Sequence, residues 1–390
     1  MSGELLRLLT GLGIEVHCFT TARETALPDA VRSIPGLHLI CMPSPWTYDK
    51  WYSRTDFTKF ATGMPARARA FAHVGSEIAR LHADNPFDLI YLFNAADVTA
   101  LRGHLSSLPR VVLHPEVHAA GELTWLQRER HLAASGGRNR ASQMFFEAVM
   151  TLRAASQRRG VQHASMIIAP SQRFARLLAN DYGVPMSRIR IVPNPIDLKR
   201  FSPSLDCSTA ADPASVRLLY VSRIAVRKGV EQIVALSHRL ADLDGLVKIE
   251  IVGAHSLWSD YRHLLAMLNE RIASYTGPIH GSEMSTIMRA SDVFLCPSLY
   301  EPFGLTVGEA LASGMAVVAS DAVGAAEELN TCASEAFHAG DLPGFERAVR
   351  TMVRRFQADP AKLRAGARLE ASRLFGPEAV SDRLRAALMQ

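Results

Sequence analysis

Residues 291–320 read SDVFLCPSLYEPFGLTVGEALASGMAVVAS, and four segments of different chemistry follow one another inside them. Residues 292–297 are a short apolar run with β-branched and aromatic side chains. A loop with Pro302 and Gly304 comes next, then a helix-like segment, then a second apolar run at 315–319. The predicted order is strand, loop, helix, strand. Gly304 permits a close backbone approach just ahead of a helix that starts near Leu305, and Gly314 suits the position just past its end. At such a helix start the amides of Gly304, Leu305 and Thr306 are placed to hold an anionic group.

Two carboxylates frame this turn: Glu301 in the loop and, with seven residues between, Glu309 a turn into the helix. A carboxylate accepts a pair of hydrogen bonds from neighbouring hydroxyls, so a phosphate on the amides with polyols to either side fits a nucleotide sugar. Two Glu on a βαβ unit carry little alone. The whole string EPFGLTVGEALASG carries more, and so does a second string upstream, SRIAVRKG at 222–229. There a strand over 216–222 leads to Arg223 and Lys228, and from Gly229 a helix runs through Ile233, Val234, Leu236 and Leu240. In an open parallel sheet the ligand crevice lies at the carboxyl ends of the strands, where both cations fall. Arg grips phosphate with two parallel bonds, and Lys adds a point charge.

The two strings resemble the E-x7-E and G-R-x-x-x-x-K-G signatures of the retaining nucleotide-sugar glycosyltransferases with the GT-B fold, the family-4 group, with Ser222 where Gly is usual. The resemblance implies an α/β chain of two Rossmann-like domains facing across a cleft. It implies a sugar moved from a nucleotide-diphosphate donor to an acceptor hydroxyl with retention, without metal or bound cofactor. Arg223 and Lys228 would stabilise the leaving diphosphate and Glu301 would orient the sugar, because electrostatic placement dominates when a phosphate departs. Glu309 would meet the ribose, and Phe303, Gly304, Leu305 and Thr306 would complete the donor site. A double displacement would instead need a carboxylate beside the anomeric carbon, and nothing in the sequence places one.

Outward from these strings, NPIDLKRFSP at 194–203 resembles the family's turn that closes the first domain, with Pro195 in place of Gly. TGPIHGSE at 276–283 resembles the segment whose backbone receives the base, a mode that leaves uridine, guanosine and adenosine donors indistinguishable. Periodicity stops over 202–215, rich in Pro, Ser, Asp and Ala, which predicts domains at 1–205 and 206–375. Residues 376–390 would form a terminal helix crossing back onto the first.

The first half is less regular. Residues 3–13 have helical apolar spacing and 14–20 read as a strand. The resembled family opens with a further strand, central to its first sheet, and a glycine-rich turn ahead of this helix. Neither is in this sequence, so the start lies upstream, or the sheet tolerates the loss, or the enzyme is impaired. Residues 43–71 are rich in aromatic and basic side chains, among them Trp46, Trp51, Tyr52, Lys59 and Arg67. They suit a sugar-stacking surface or a membrane interface, or simply a loop and a helix packed on the domain.

Strands are expected at 87–93 and 111–114, the second ending in HPEVH. His114 and His118 around Glu116 make a poor metal site, since Pro115 disfavours a helix starting at His114 and no third ligand stands at a telling distance. No metal ligand is therefore assigned. His114, at a strand's carboxyl end, fits a crevice residue like the family's acceptor-side His, or else an ordinary surface or cap histidine. Residues 122–160 look helical with a basic break, GGRNR, at 136–140. Then come a strand at 166–169, a helix capped by Ser171 and closed by Gly183, and a strand at 189–192.

The chain has 390 residues, 48% of them hydrophobic, enough for two sizeable cores. No apolar run approaches the roughly 20 residues that span a bilayer, and the start lacks the pattern of a secretory signal. Five scattered cysteines without C-x-x-C spacing argue against a disulfide framework or a zinc knuckle. The cytoplasm is the default compartment. Of the net charge of +5, residues 1–205 carry +8, from 24 Lys and Arg against 16 Asp and Glu, and the remainder −3. That basic half suits an anionic acceptor, whether glycan, lipid or small molecule, or peripheral contact with the inner face of an anionic membrane. Nucleic acid is not expected, since no helix-turn-helix, RRM or finger pattern accompanies the charge. Rival readings are a sugar-nucleotide epimerase, which transfers to no acceptor, a phosphorylase, which needs a pyridoxal-bearing Lys, and a non-catalytic nucleotide-sugar-binding partner.

Overall fold

The computed structural model describes residues 2–43, 57–115, 118–130, 140–203, 215–254 and 262–389. Twelve strands among them fall into three sheets, all parallel. In the first half, β1 (Val16–Thr20) pairs with β2 (Leu37–Cys41) as a separate two-stranded sheet. β3 (Leu89–Leu92), β4 (Arg110–Leu113), β5 (Met166–Ala169) and β6 (Ile189–Ile191) form a four-stranded sheet in chain order. In the second half, β7 (Val216–Val221), β8 (Val247–Val252), β9 (Ala273–Gly277), β10 (Val293–Cys296), β11 (Ala316–Ser320) and β12 (Ser334–Phe337) make one sheet, ordered β12-β11-β10-β7-β8-β9.

Both larger sheets are covered on their two faces, as parallel sheets must be. Successive side chains of β5 part to opposite sides. Met166 and Ile168 join Leu5 and Leu9 of the helix Ser2–Gly11 and Val380 and Leu384 of the helix Pro377–Leu388. Ile167 and Ala169 join Phe174 and Leu178 of the helix Gln172–Tyr182. The last helix of the chain therefore packs on the first half. The helix Gln172–Tyr182 has the ends its sequence predicts: the Ser171 hydroxyl accepts from the Phe174 amide, and Gly183 turns left-handed at φ 69°.

Other boundaries move by a residue or two, the ordinary uncertainty of element ends. The strand expected at 87–93 narrows to Leu89–Leu92, and the one at 216–222 ends a residue earlier, at Val221. β9 and β12 lack the apolar run that marked the other strands, because each is an edge strand with polar residues. The helix Leu342–Ala358 was also not anticipated; it buries Phe345, Val349, Met352 and Phe356 on one stripe.

Several expectations fall outside the described residues: Trp46, Trp51 and Tyr52, Glu116, most of the 136–140 break, and the linker over 204–214. From Phe57 the aromatic and basic stretch continues as the helix Phe57–Asp84. No helix among the described residues is long and apolar enough to cross a membrane.

Candidate active site

Two loops at the carboxyl ends of β7 and β10 are tied together by their backbones. The amides of Leu299 and Tyr300 both donate to the Arg227 carbonyl, at 2.8 and 3.2 Å. Gly229 follows the turn Val226–Lys228 at φ 79°, and a Cβ there would stand 2.1 Å from the carbonyl oxygen of Pro297. Only glycine meets both conditions. Across this seam the ammonium of Lys228 is ion-paired with the Glu301 carboxylate, at side-chain exposures of 13% and 17%. Residues 73 positions apart thus meet side chain to side chain. The Glu301 carbonyl accepts from the Gly324 amide at 3.1 Å, which fixes the loop from its other side.

Gly304 caps the helix Leu305–Ala312 in the left-handed region at φ 97°, where a Cβ would lie 2.9 Å from Val323 and 3.2 Å from Glu301. The helix start therefore opens directly beside Glu301. Phe303 is buried in the core under this turn, while Leu305 and Thr306 are half-buried. Glu309 is half-buried in the same helix; burial pushes its carboxyl up, and Arg200 opposes the shift. Arg223, at the carboxyl end of β7, is exposed. The structure joins Lys228, Glu301 and the Gly304 turn, with Arg223 at the same strand end and Glu309 further along the helix.

His114 follows β4 and is buried, so it is not a surface histidine. Its Nδ1 lies 2.7 Å from the Tyr91 hydroxyl. Burial pulls the imidazole down to about 4, against a hydrogen bond with Asn194 that raises it. His118 keeps different company. Its Nδ1 meets the Tyr300 hydroxyl at 2.5 Å, and its Nε2 stands 3.0 Å from Asp181. Gly121 leaves the space for this contact, since a Cβ there would be 2.1 Å from the Tyr300 oxygen.

The His118 contact belongs to a set that sequence spacing did not reveal. The Glu129 carboxylate accepts from the Arg227 amide at 2.9 Å, and the Ser171 hydroxyl donates to the Pro302 carbonyl at 2.8 Å. Glu327 accepts from the amides of Gln172 and Arg173 at 2.9 and 2.7 Å. Arg227 precedes Lys228, and Tyr300 and Pro302 flank Glu301. The first half therefore grips the second by the immediate neighbours of its paired charges. No local signal marks such partners, which lie 98 to 182 positions apart in sequence.

Two parallel α/β units held together at the carboxyl ends of their strands are the architecture of the GT-B glycosyltransferases. Sucrose-phosphate synthase from Thermosynechococcus elongatus superposes with a TM-score of 0.68 at 21% identity, over 98% of this chain and 90% of that one. Anabaena HepE in complex with UDP and glucose superposes with a TM-score of 0.67 at 16% identity, over 100% and 96%. The chain belongs to Glycosyltransferase Family 4, whose profile matches residues 3–200, and the profile of Glycosyl transferases group 1 matches residues 215–355. Among curated relatives, D-inositol 3-phosphate glycosyltransferase 2 of Catenulispora acidiphila is 26% identical over 87% of this chain and 78% of its own length. The alpha-maltose-1-phosphate synthase of Mycolicibacterium smegmatis is 29% identical over 68% and 69%. The protein is a glycosyltransferase.

Proposed function

We propose that the protein transfers a sugar with retention from a nucleotide-diphosphate donor seated on the second half to an anionic acceptor presented by the first. The observation that carries this reading is the Lys228 and Glu301 pair beside the helix start at Gly304. In this structure the two charges neutralise each other. A bound donor takes both: its diphosphate draws Lys228, with Arg223 and the amides of Gly304, Leu305 and Thr306, while sugar hydroxyls bond Glu301. Glu309, lifted by burial, meets the ribose hydroxyls. Phe303 packs beneath, and His114, held neutral by burial, is positioned near the acceptor.

In the chemical step the acceptor oxygen bonds to the anomeric carbon as the bond from that carbon to the phosphate oxygen breaks. A phosphate oxygen takes the acceptor's proton, so the products are a glycoside and a nucleoside diphosphate. Positive charge from Arg223, Lys228 and the helix amides stabilises that leaving group without requiring a metal. The acceptor's negative charge is supported by the +8 of residues 1–205 and by the phosphorylated compounds in the relatives' names.

The test is to incubate the full chain with a panel of nucleotide sugars, with and without inositol phosphate and sugar phosphates. Mass spectrometry scores nucleoside diphosphate, and proton NMR reads the anomeric configuration. The expected result is acceptor-dependent release with configuration kept and turnover unchanged in EDTA. Inverted product, or rearranged donor without acceptor, would overturn the reading.

A further inference from the structure

Three ligand-type side chains converge on β1 and β2, away from the crevice loops. In the parallel ladder His17 and His38 are direct partners, and their rings stack with centroids 4.6 Å apart and 17° between planes. Glu15 stands two residues before His17, just ahead of β1, and its carboxylate reaches both rings. Its Oε1 lies 3.0 Å from His17 Nε2 and 3.5 Å from His38 Nε2. One donor atom from each residue lies within 4.8 Å of the other two. Phe87 packs on the His17 ring at a centroid distance of 5.3 Å, which limits its rotation. Side-chain exposures of 22%, 56% and 64% for His17, His38 and Glu15 let an ion enter without any opening of the fold.

Two imidazoles and a carboxylate form a borderline donor set that favours zinc and its neighbours, Co2+, Ni2+ and Cu2+, over the oxygen-seeking Mg2+ and Ca2+. Three protein ligands leave the remaining positions to water. We propose that Glu15, His17 and His38 bind a zinc-class divalent cation through Glu15 Oε1 and the Nε2 atoms of both histidines, clipping β1 to β2. The clip has a mechanical use. This pair of strands is a sheet of its own, and a two-stranded sheet gains little stability by itself. A metal joining His17 to His38 closes a loop of 20 intervening residues. His17 and His38 are each the second residue of their strand, near the amino ends, whereas ligand crevices in such sheets open at the carboxyl ends. The cation is therefore structural, and basal sugar transfer does not depend on it.

Untagged full-length protein, stripped with EDTA, is titrated with ZnCl2 alone by calorimetry and then with CoCl2 in the visible region. One equivalent is expected to bind. His17→Gln, His38→Gln and Glu15→Gln should each weaken affinity at least tenfold, and saturating zinc should raise the wild-type melting temperature but not theirs. Circular dichroism of metal-free samples checks that the variants fold, and the exposed His38 and Glu15 are the safer positions. Wild-type affinity in the His38 and Glu15 variants, or no zinc binding by wild type at millimolar concentration, would overturn the assignment.

Discussion

The second half of the molecule builds one continuous six-stranded sheet, whereas the first divides its strands between a pair and a sheet of four. Their charges differ as well, −3 against +8. The second half holds its paired charges in two short loops at neighbouring strand ends, each loop a contiguous string. The first half reaches those loops through His118, Glu129 and Ser171, residues from three separate segments. The paired charges thus lie where the sheet is continuous, and the more divided half contacts their loops from separate segments.

The sharpest way to break that contrast is at Lys228 and Glu301. Lys228→Ala or Glu301→Ala should lower turnover by about 100- to 1000-fold, the scale of losing one stabilising group in a transition state. Steady-state kinetics with circular dichroism as a fold control would show it; wild-type turnover in both variants would refute the assignment.

Acid should separate the halves next. His114 is held by burial at about 4 from an ordinary 6.5, so below 6.5 the unfolded chain binds a proton that the native state refuses. That contribution, on the order of 3 kcal/mol, is present above pH 6.5, is lost as pH falls and is gone near pH 4. Burial lowers His118 too, against the nearby Asp181 and Glu122, and adds to the effect in the same direction. Hydrogen exchange at pH 7 and pH 4.5 should show protection failing first in β3 to β6, and uniform loss across both sheets would contradict this.

A smaller effect is expected at Gly229→Ala, which combines a left-handed backbone with the Pro297 carbonyl 2.1 Å from the new methyl position. Stability should fall by more than about 1 kcal/mol in urea titrations, with donor affinity falling alongside. Smallest is the contact between the halves: a double-mutant cycle on His118→Phe and Tyr300→Phe should give a coupling of about 1 kcal/mol. A coupling of zero would mean that the two side chains act independently.

What was legible in the sequence follows the same division. The strand, loop, helix and strand around Glu301 and the helix between Ser171 and Gly183 announced themselves because caps, glycines and apolar runs are local signals. The seam between the Arg227 carbonyl and Tyr300 was not legible, since a backbone bond leaves no mark in side-chain identity. In sequence His118 stands out only beside His114, yet the two rings have separate partners, Tyr300 and Tyr91. His17 and His38 carried no motif spacing at all, because the register of β1 on β2 brings them together.

The central claim is that the loops around Lys228 and Glu301 hold a diphosphate. Calorimetric binding of UDP, GDP and ADP to wild type and to Lys228→Ala tests it most directly. At least one of the three should bind wild type, and the variant should bind it about 10- to 100-fold more weakly, the worth of a charge-assisted hydrogen bond. Equal affinity in the two proteins would contradict the account.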